Sequence, residues 1–197
     1  VWNGAPMVTP EFLTEAPTAD MTGGGIFPAI YGTVFMTLLM SIAGVPVGLA
    51  TAIWLSEYAS KRSRIAPIVR SAIHNLAGVP SIVFGLFGLG FFVLFVGGTM
   101  DKVFYGDVAR PIWGQPSILW ASLTLAVLTL PTVIVTTEEA LRTVPRDLRD
   151  ASLALGATKF QTIFTVVLPN ARGGILTGVI LGVSRGMGEV APIIFTG

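Results

Sequence analysis

DASLALGATKFQTIFTVVLP, residues 150–169, begins polar, turns at Gly156 and ends on Pro169, where an apolar segment opens. Residues 150–155 can form a short helix. Gly156 can supply a left-handed turn at no steric cost. Thr158 is a candidate N-cap for the next segment, because its hydroxyl can accept from the first unpaired helical N–H groups. The stretch lies in the longest charged interval between two apolar runs. It predicts a helix, a turn and a second helix, presented at a membrane surface.

Outward from this stretch the chain is apolar. Of 197 residues, 52% are hydrophobic and 12% are charged, and the mean hydropathy is +0.77. A soluble domain carries a charged share of about 25%. The class is therefore a polytopic membrane protein. A net charge of +1 argues against a nucleic-acid partner held by phosphate neutralisation. With no Cys and one His, disulfides, thiolate nucleophiles, Cys-ligated metals and His-rich metal sites are excluded.

The predicted fold is an all-α transmembrane bundle, one domain over 1–197. It has an external loop at 1–26, spans at 27–58, 65–96, 117–137 and 170–197, and a cytoplasmic loop at 138–169. Residues 31–54 alone give about 36 Å of helix, against roughly 30 Å of hydrocarbon. Lys61, Arg62, Arg64 and Arg70 follow the first span, and this basic loop is cytoplasmic by the positive-inside rule. The Gly-, Pro- and Thr-rich N-terminal loop, whose charges are Glu11, Glu15 and Asp20, is then outside. The second span is expected to be bent or broken by Pro67, residues 78–80 and the glycines at 85, 88 and 90. Residues 97–116 read as an external loop with balanced charges, Asp101 and Asp107 against Lys102 and Arg110. The ends read as cut. Val1 opens in a polar loop with no signal peptide, and Gly197 follows an apolar run, so a first and a last span are expected to be missing.

Four features could carry function. Arg185 and Glu189, four apart in the last span, are costly in a membrane, at least about 2.5–3.5 kcal/mol for such a charge. Arg185 is a planar cation suited to an oxyanion, with Glu189 holding it in the absence of substrate; a buried ion pair that only fixes packing is the other reading. Gly174, Gly178, Gly182 and Gly186 recur every fourth residue and make a smooth face for close helix approach. Arg185 and Glu189 are expected on nearly the same side. Ser122, Thr129, Thr132 and Thr136 share one stripe of the third span; they either line a pathway or bond their own backbone. His74 is either a ligand or proton relay, or a polar residue near the interface.

The spacing of residues 150–169 resembles the EAA loop of bacterial ABC importer permeases, EAA-x3-G-x9-I-x-LP, with Asp150, Ala151 and Ser152 in the EAA positions. Further runs, at 9–17, 76–93, 138–169 and 184–197, are similar to the PstA-type permeases of bacterial phosphate ABC importers. LAGVPSIVFGLFGLGFFV and SRGMGEVAPIIFTG carry that narrower likeness. The resemblance implies a type I importer permease fold, ordinarily of six spans, of which four would be present here. It implies a permease subunit moving inorganic phosphate inward by alternating access in the bacterial cytoplasmic (inner) membrane. Expected partners are a PstC-like second permease, an ATPase dimer and an extracytoplasmic phosphate-binding protein, besides membrane lipid. Asp150, Ala151, Ser152, Leu155, Gly156 and Ala157 would couple to the ATPase, and Arg185 and Glu189 would stand near the substrate pathway. Asp150 and Ser152 depart from the usual Glu and Ala but keep charge and small size.

No G-x-x-x-x-G-K-[ST] phosphate cradle is present, so ATP and its Mg would be bound by the partner ATPase, and no cofactor is expected in this chain. H-E-x-x-H is absent too, and no nucleophile–base pair stands out to support a membrane-embedded enzyme. A permease for another oxyanion or small solute, and a passive channel or scaffold, stay open as alternatives.

Overall fold

The computed structural model of the chain describes residues 8–18, 23–59, 63–106 and 110–197. Lys61 and Arg62 of the expected basic loop, and Asp20 and Asp107 of the expected external loops, lie outside these residues. The described chain is helical, with no strand beyond one isolated bridge between Pro17 and Gly24. Eight helices follow in order. They are α1 (Pro10–Thr14), α2 (Phe27–Tyr58), α3 (Ile65–Ala77), α4 (Ser81–Tyr105), α5 (Ile118–Arg142), α6 (Arg146–Ala154), α7 (Lys159–Met187) and α8 (Ala191–Thr196). α2, α4, α5 and α7 are long and apolar enough to cross a membrane.

α5 is the centre of the bundle. Its most apolar stretch is 61% buried, against 22–28% for the other three long helices. α2 and α7 flank it, and α4 with α8 closes a further side. Small residues make the close approaches. A Cβ on Gly44 of α2 would lie 3.4 Å from Ala126, and one on Gly48 would lie 2.7 Å from Val133. Along α7, Gly174 faces Ala140, Gly178 faces Thr136, Gly182 faces Val133, and Gly186 faces Met40 and Thr129. The four-residue glycine repeat is thus seated on α5, with α2 meeting its last member. With lipid outside, close van der Waals contact of this kind is what holds the helices together.

The span boundaries differ from those expected, for physical reasons. The expected second span, 65–96, is two helices. α3 has 13 residues, about 20 Å of helix and too short to cross. It ends at Ala77 with Gly78 as its cap, at the break expected over 78–80, since Pro80 disfavours helix at Val79; Pro80 itself is extended (φ −58°, ψ 140°). The crossing helix starts at Ser81 and stays continuous, but its α-helical register ends at Gly88 and gives way to a π stretch over Leu89–Gly97, so the expected disturbance falls at Gly88 and Gly90 and not at Gly85. Gly85 and Gly88 are contact points for α8 and for Thr124. α4 also continues into the expected loop 97–116. There Asp101 is buried and accepts N–H bonds from Ile112 (3.0 Å), Trp113 (2.9 Å) and Gly114 (2.7 Å).

The third helix extends beyond 137 to Arg142. The fourth long helix starts at Lys159 rather than at 170, because Pro169 does not open it. A π turn over Ile163–Val167 precedes the proline, with Leu168 N–H reaching back to Ile163 O. The wider turn absorbs the missing proline donor within a continuous helix. α7 then stops at Met187, short of the expected 197, and α8 resumes after residues 188–190. The N-terminal loop contains one short helix, α1, capped by Thr9.

Candidate functional site

Arg185 stands in the last turn of α7, beside the interruption at 188–190. Its Nη1 lies 3.4 Å from Thr132 Oγ1 on α5. Its Nε lies 3.8 Å from Glu189 Oε1, with the two side chains 42% and 20% exposed. Glu189 belongs to the non-helical link, not to a continuous helix. The pair is also not aligned with the glycine face: Gly182 and Gly186 are buried against α5 and α2, whereas Arg185 is exposed at the flank.

The depth of this charge follows from its neighbours. Thr132 lies near the middle of α5, and Gly186 meets Met40 near the middle of α2. Beyond the break, Thr196 O accepts Ser117 N–H (2.9 Å) at the far end of α5. The backbone is therefore interrupted about halfway across the bundle, next to an exposed arginine. Irregular backbone at membrane depth is tolerated only where protein or water covers it.

The hydroxyl stripe on α5 is mostly occupied by its own backbone. Ser122 donates to Ile118 O (2.6 Å), Thr129 to Ala126 O (2.9 Å) and Thr136 to Thr132 O (2.7 Å). Thr132 is the member that meets Arg185. His74 is exposed on α3, and no group of three His, Cys, Asp or Glu placed to hold a metal occurs among the described residues.

At the basic end of the bundle, α6 and the start of α7 form the helix–turn–helix. α6 starts behind Pro145, four residues before Asp150. Gly156 adopts φ +86°. Gly156 N–H donates to Leu153 O (3.0 Å) and Ala157 N–H to Ser152 O (3.2 Å), closing the helix end. Thr158 and Gln161 form a capping box, at 3.2 and 2.8 Å. Ser152 Oγ and Thr162 Oγ1 are 3.0 Å apart across the turn. Asp150, Ala151 and Leu155 are exposed, Leu155 at 90%.

Above this motif lies a layer of ion pairs that the sequence reading treated only as positive-inside charge. Glu138 Oε1 accepts from Arg70 (2.8 Å) and Arg142 (2.6 Å). Glu57 Oε1 accepts from Arg149 (3.0 Å). Glu57, Arg70, Arg142 and Arg149 border a cavity of about 660 Å³, lined also by Arg146 and Asp150. The available signal was that Glu57 and Glu138, acids at span ends, face an interval rich in arginine.

The chain is 34% identical over 194 residues to a probable ABC transporter permease protein, YqgI, of Bacillus subtilis, covering 98% of this chain and 60% of that protein. It is 35% identical over 193 residues to the phosphate transport system permease protein PstA of Xylella fastidiosa, covering 98% and 61%. Against PstA 1 of Mycobacterium tuberculosis it is 37% identical over 175 residues, covering 89% and 51%. The chain thus spans about half to three-fifths of the length of these relatives. Among solved structures, an amino acid ABC transporter crystallised with histidines matches with a TM-score of 0.51 at 21% identity. That match covers 80% of this chain and 68% of the other, and it supports the fold. Four membrane-length helices and these likenesses make the chain a multi-pass membrane protein. Residues 44–197 match the family described as the inner membrane component of binding-protein-dependent transport systems, and the chain belongs to that family.

Proposed function

We propose that the chain is the transmembrane core of a permease subunit that takes inorganic phosphate into a bacterial cell by ATP-driven alternating access. The observation that carries this reading is Arg185, exposed beside a backbone break at the middle depth of the bundle. A permanently charged, planar donor at that depth suits an oxyanion, and broken helices at the midplane are where transporters bind their cargo. Glu189, 3.8 Å away, competes with the anion for the guanidinium. The site is then weak enough to release what it attracts. The PstA relatives supply the cargo by name, and the geometry is compatible with it.

The helix–turn–helix at 146–162 would dock on the ATPase dimer, with Leu155 as the apolar knob and Asp150, Ala151, Ser152, Gly156 and Ala157 shaping the surface. ATP and Mg would be bound there, in the partner. A second permease would cover the exposed flank of α7, and an extracytoplasmic phosphate-binding protein would deliver cargo at the opposite end. The location would be the cytoplasmic membrane.

The test is phosphate uptake into proteoliposomes holding the full-length subunit, a second permease, the ATPase and the binding protein. It is run with and without ATP, with sulfate as competitor. ATP-dependent uptake that sulfate does not inhibit is the expected result. ATP-dependent transport of a different solute keeps the machine and replaces the cargo; uptake independent of ATP overturns the reading.

A further inference from the structure

α6 buries none of its residues. With no fully buried residue, packing holds this helix weakly, so its placement against the spans leans on polar bonds. Arg149 supplies most of them. Its Nη1 donates to Val144 O (2.6 Å), and its Nη2 donates to Leu141 O (2.8 Å) and to Glu57 Oε1 (3.0 Å). One guanidinium therefore touches the end of α5, the 143–145 link and the end of α2. It is 18% exposed and Glu57 is 10% exposed, so the pair is little weakened by solvent screening.

What lies behind these acceptors is closely packed. Leu141 and Val144 are buried in a cluster with Val167 and Ala171 of α7, and Ile53 of α2 packs on it. Glu57 belongs to a π turn over Trp54–Tyr58, closed by Ala59 N–H on Trp54 O (2.8 Å). A π turn inserts a residue into the helical register and is common at functional positions. Three residues along the same face of α6, the Ser152–Thr162 hydroxyl contact at 3.0 Å ties it to the start of α7.

We propose that Arg149 is a positioning residue that makes α6, the end of α5 and the end of α2 move as one body. Force applied to the exposed face of α6 then reaches two spans directly rather than only through the turn at Gly156. The inference rests on the docking role given to α6 above. Lysine is no substitute, because an ammonium is a point charge that cannot reach three acceptors lying in different directions.

The experiment uses the assembled complex in nanodiscs, with Arg149→Lys and Glu57→Gln in the full-length chain. Glu57→Gln removes the charge that strengthens the bond to Arg149 and leaves its two carbonyl bonds in place, so it guards against a variant that simply fails to fold. Both variants are expected to assemble and to hydrolyse ATP, while solute moved per ATP falls about five-fold or more, the lower range of coupling between sites. A second readout does not depend on transport. Spin labels at Asp147→Cys and Ala50→Cys are expected to give one narrow distance that nucleotide does not change, and a broadened one once Arg149→Lys is added. An unbroadened distance in Arg149→Lys, or unchanged solute moved per ATP in both variants, overturns the proposal. A wild-type complex that moves no solute overturns the importer reading instead, and the distance measurement still decides the role of Arg149.

Discussion

The Arg185 guanidinium reaches the Thr132 hydroxyl at 3.4 Å, which sets a permanent charge against the middle of the most buried helix. Thr132 is a neutral partner and Glu189 a distant one, at 3.8 Å, so most of the guanidinium's five donors stay available. Arg185→Gln is expected to lower phosphate uptake by about ten-fold or more, a charge-assisted hydrogen bond being worth roughly 1.5–3 kcal/mol. The complex should still assemble, as judged by co-purification. Failure to assemble, rescued by adding Glu189→Gln, would assign the pair to packing.

The contact between Gly178 and Thr136 tests the glycine face. A Cβ at Gly178 would overlap the Thr136 side chain, and one at Gly182 would lie 2.7 Å from Val133. Overpacking of this kind costs about 1–3 kcal/mol. Gly178→Val is expected to lower the melting temperature of the detergent-solubilised subunit, and Thr136→Ala in the same chain to recover part of the loss. The same valine at Gly173, where an added Cβ meets nothing within 4 Å, should leave stability nearly unchanged.

What could be read in the sequence is what depends on neighbours along the chain. Apolar runs of membrane length announced the four long helices, and Gly156 and Thr158 announced a turn and a cap within a few residues of themselves. Pairing between distant segments has no such signal. Arg70 meets Glu138 across 68 positions and Arg149 meets Glu57 across 92, and apolar spans carry no register that would choose those partners. Asp101 was equally hidden, since a carboxylate that accepts three backbone N–H bonds looks in sequence like any loop acid. Pro169 misled for a local reason. A proline at the edge of an apolar run resembles a helix start, and nothing in the run itself signals the π turn that carries the helix past it. The break at 188–190 was missed because the run that contains it is apolar on both sides.

Gly156 and Leu155 separate the backbone of the turn from its surface. Gly156 holds φ +86°, and an added Cβ would meet nothing within 4 Å, so a substitution there acts through conformation alone. Gly156→Ala costs about 1–2 kcal/mol for the left-handed backbone, and Gly156→Pro cannot adopt it, because proline fixes φ near −65°. ATP-driven uptake is expected to fall moderately with alanine and to vanish with proline, while membrane insertion is retained. Leu155→Asp leaves the backbone free and alters only a side chain that is 90% exposed. It should abolish co-purification with the ATPase without shifting the melting temperature of the isolated subunit. Normal uptake in Gly156→Pro, or an undiminished ATPase complex in Leu155→Asp, would remove the docking role from this motif.

Glu138 and Arg70 together link three helices. Its Oε1 accepts from Arg70 of α3 at 2.8 Å and from Arg142 of α5 at 2.6 Å, and the Arg70 group also donates to Leu55 O of α2 at 2.9 Å. The carboxylate side chain is 10% exposed, whereas Arg70 is 36% and Arg142 62% exposed. The arginines can therefore recover water when the acid is lost, and the penalty is smaller than for a fully buried pair. Glu138→Leu is expected to cost about 1.5–3 kcal/mol, the range for a hydrogen-bonded charge. It should loosen α3, which otherwise rests on Ala66 and Ile73 against Ala52, Leu55 and Ile134. Amide exchange over 65–77 should rise in that variant. Adding Arg70→Met removes the partly desolvated cation left without its acid and puts an apolar stem in its place, so the double variant should be more stable than Glu138→Leu alone. If Arg70→Met instead adds a full second loss, the two residues act separately and the link from α3 to α5 runs through the apolar cluster rather than through this ion pair.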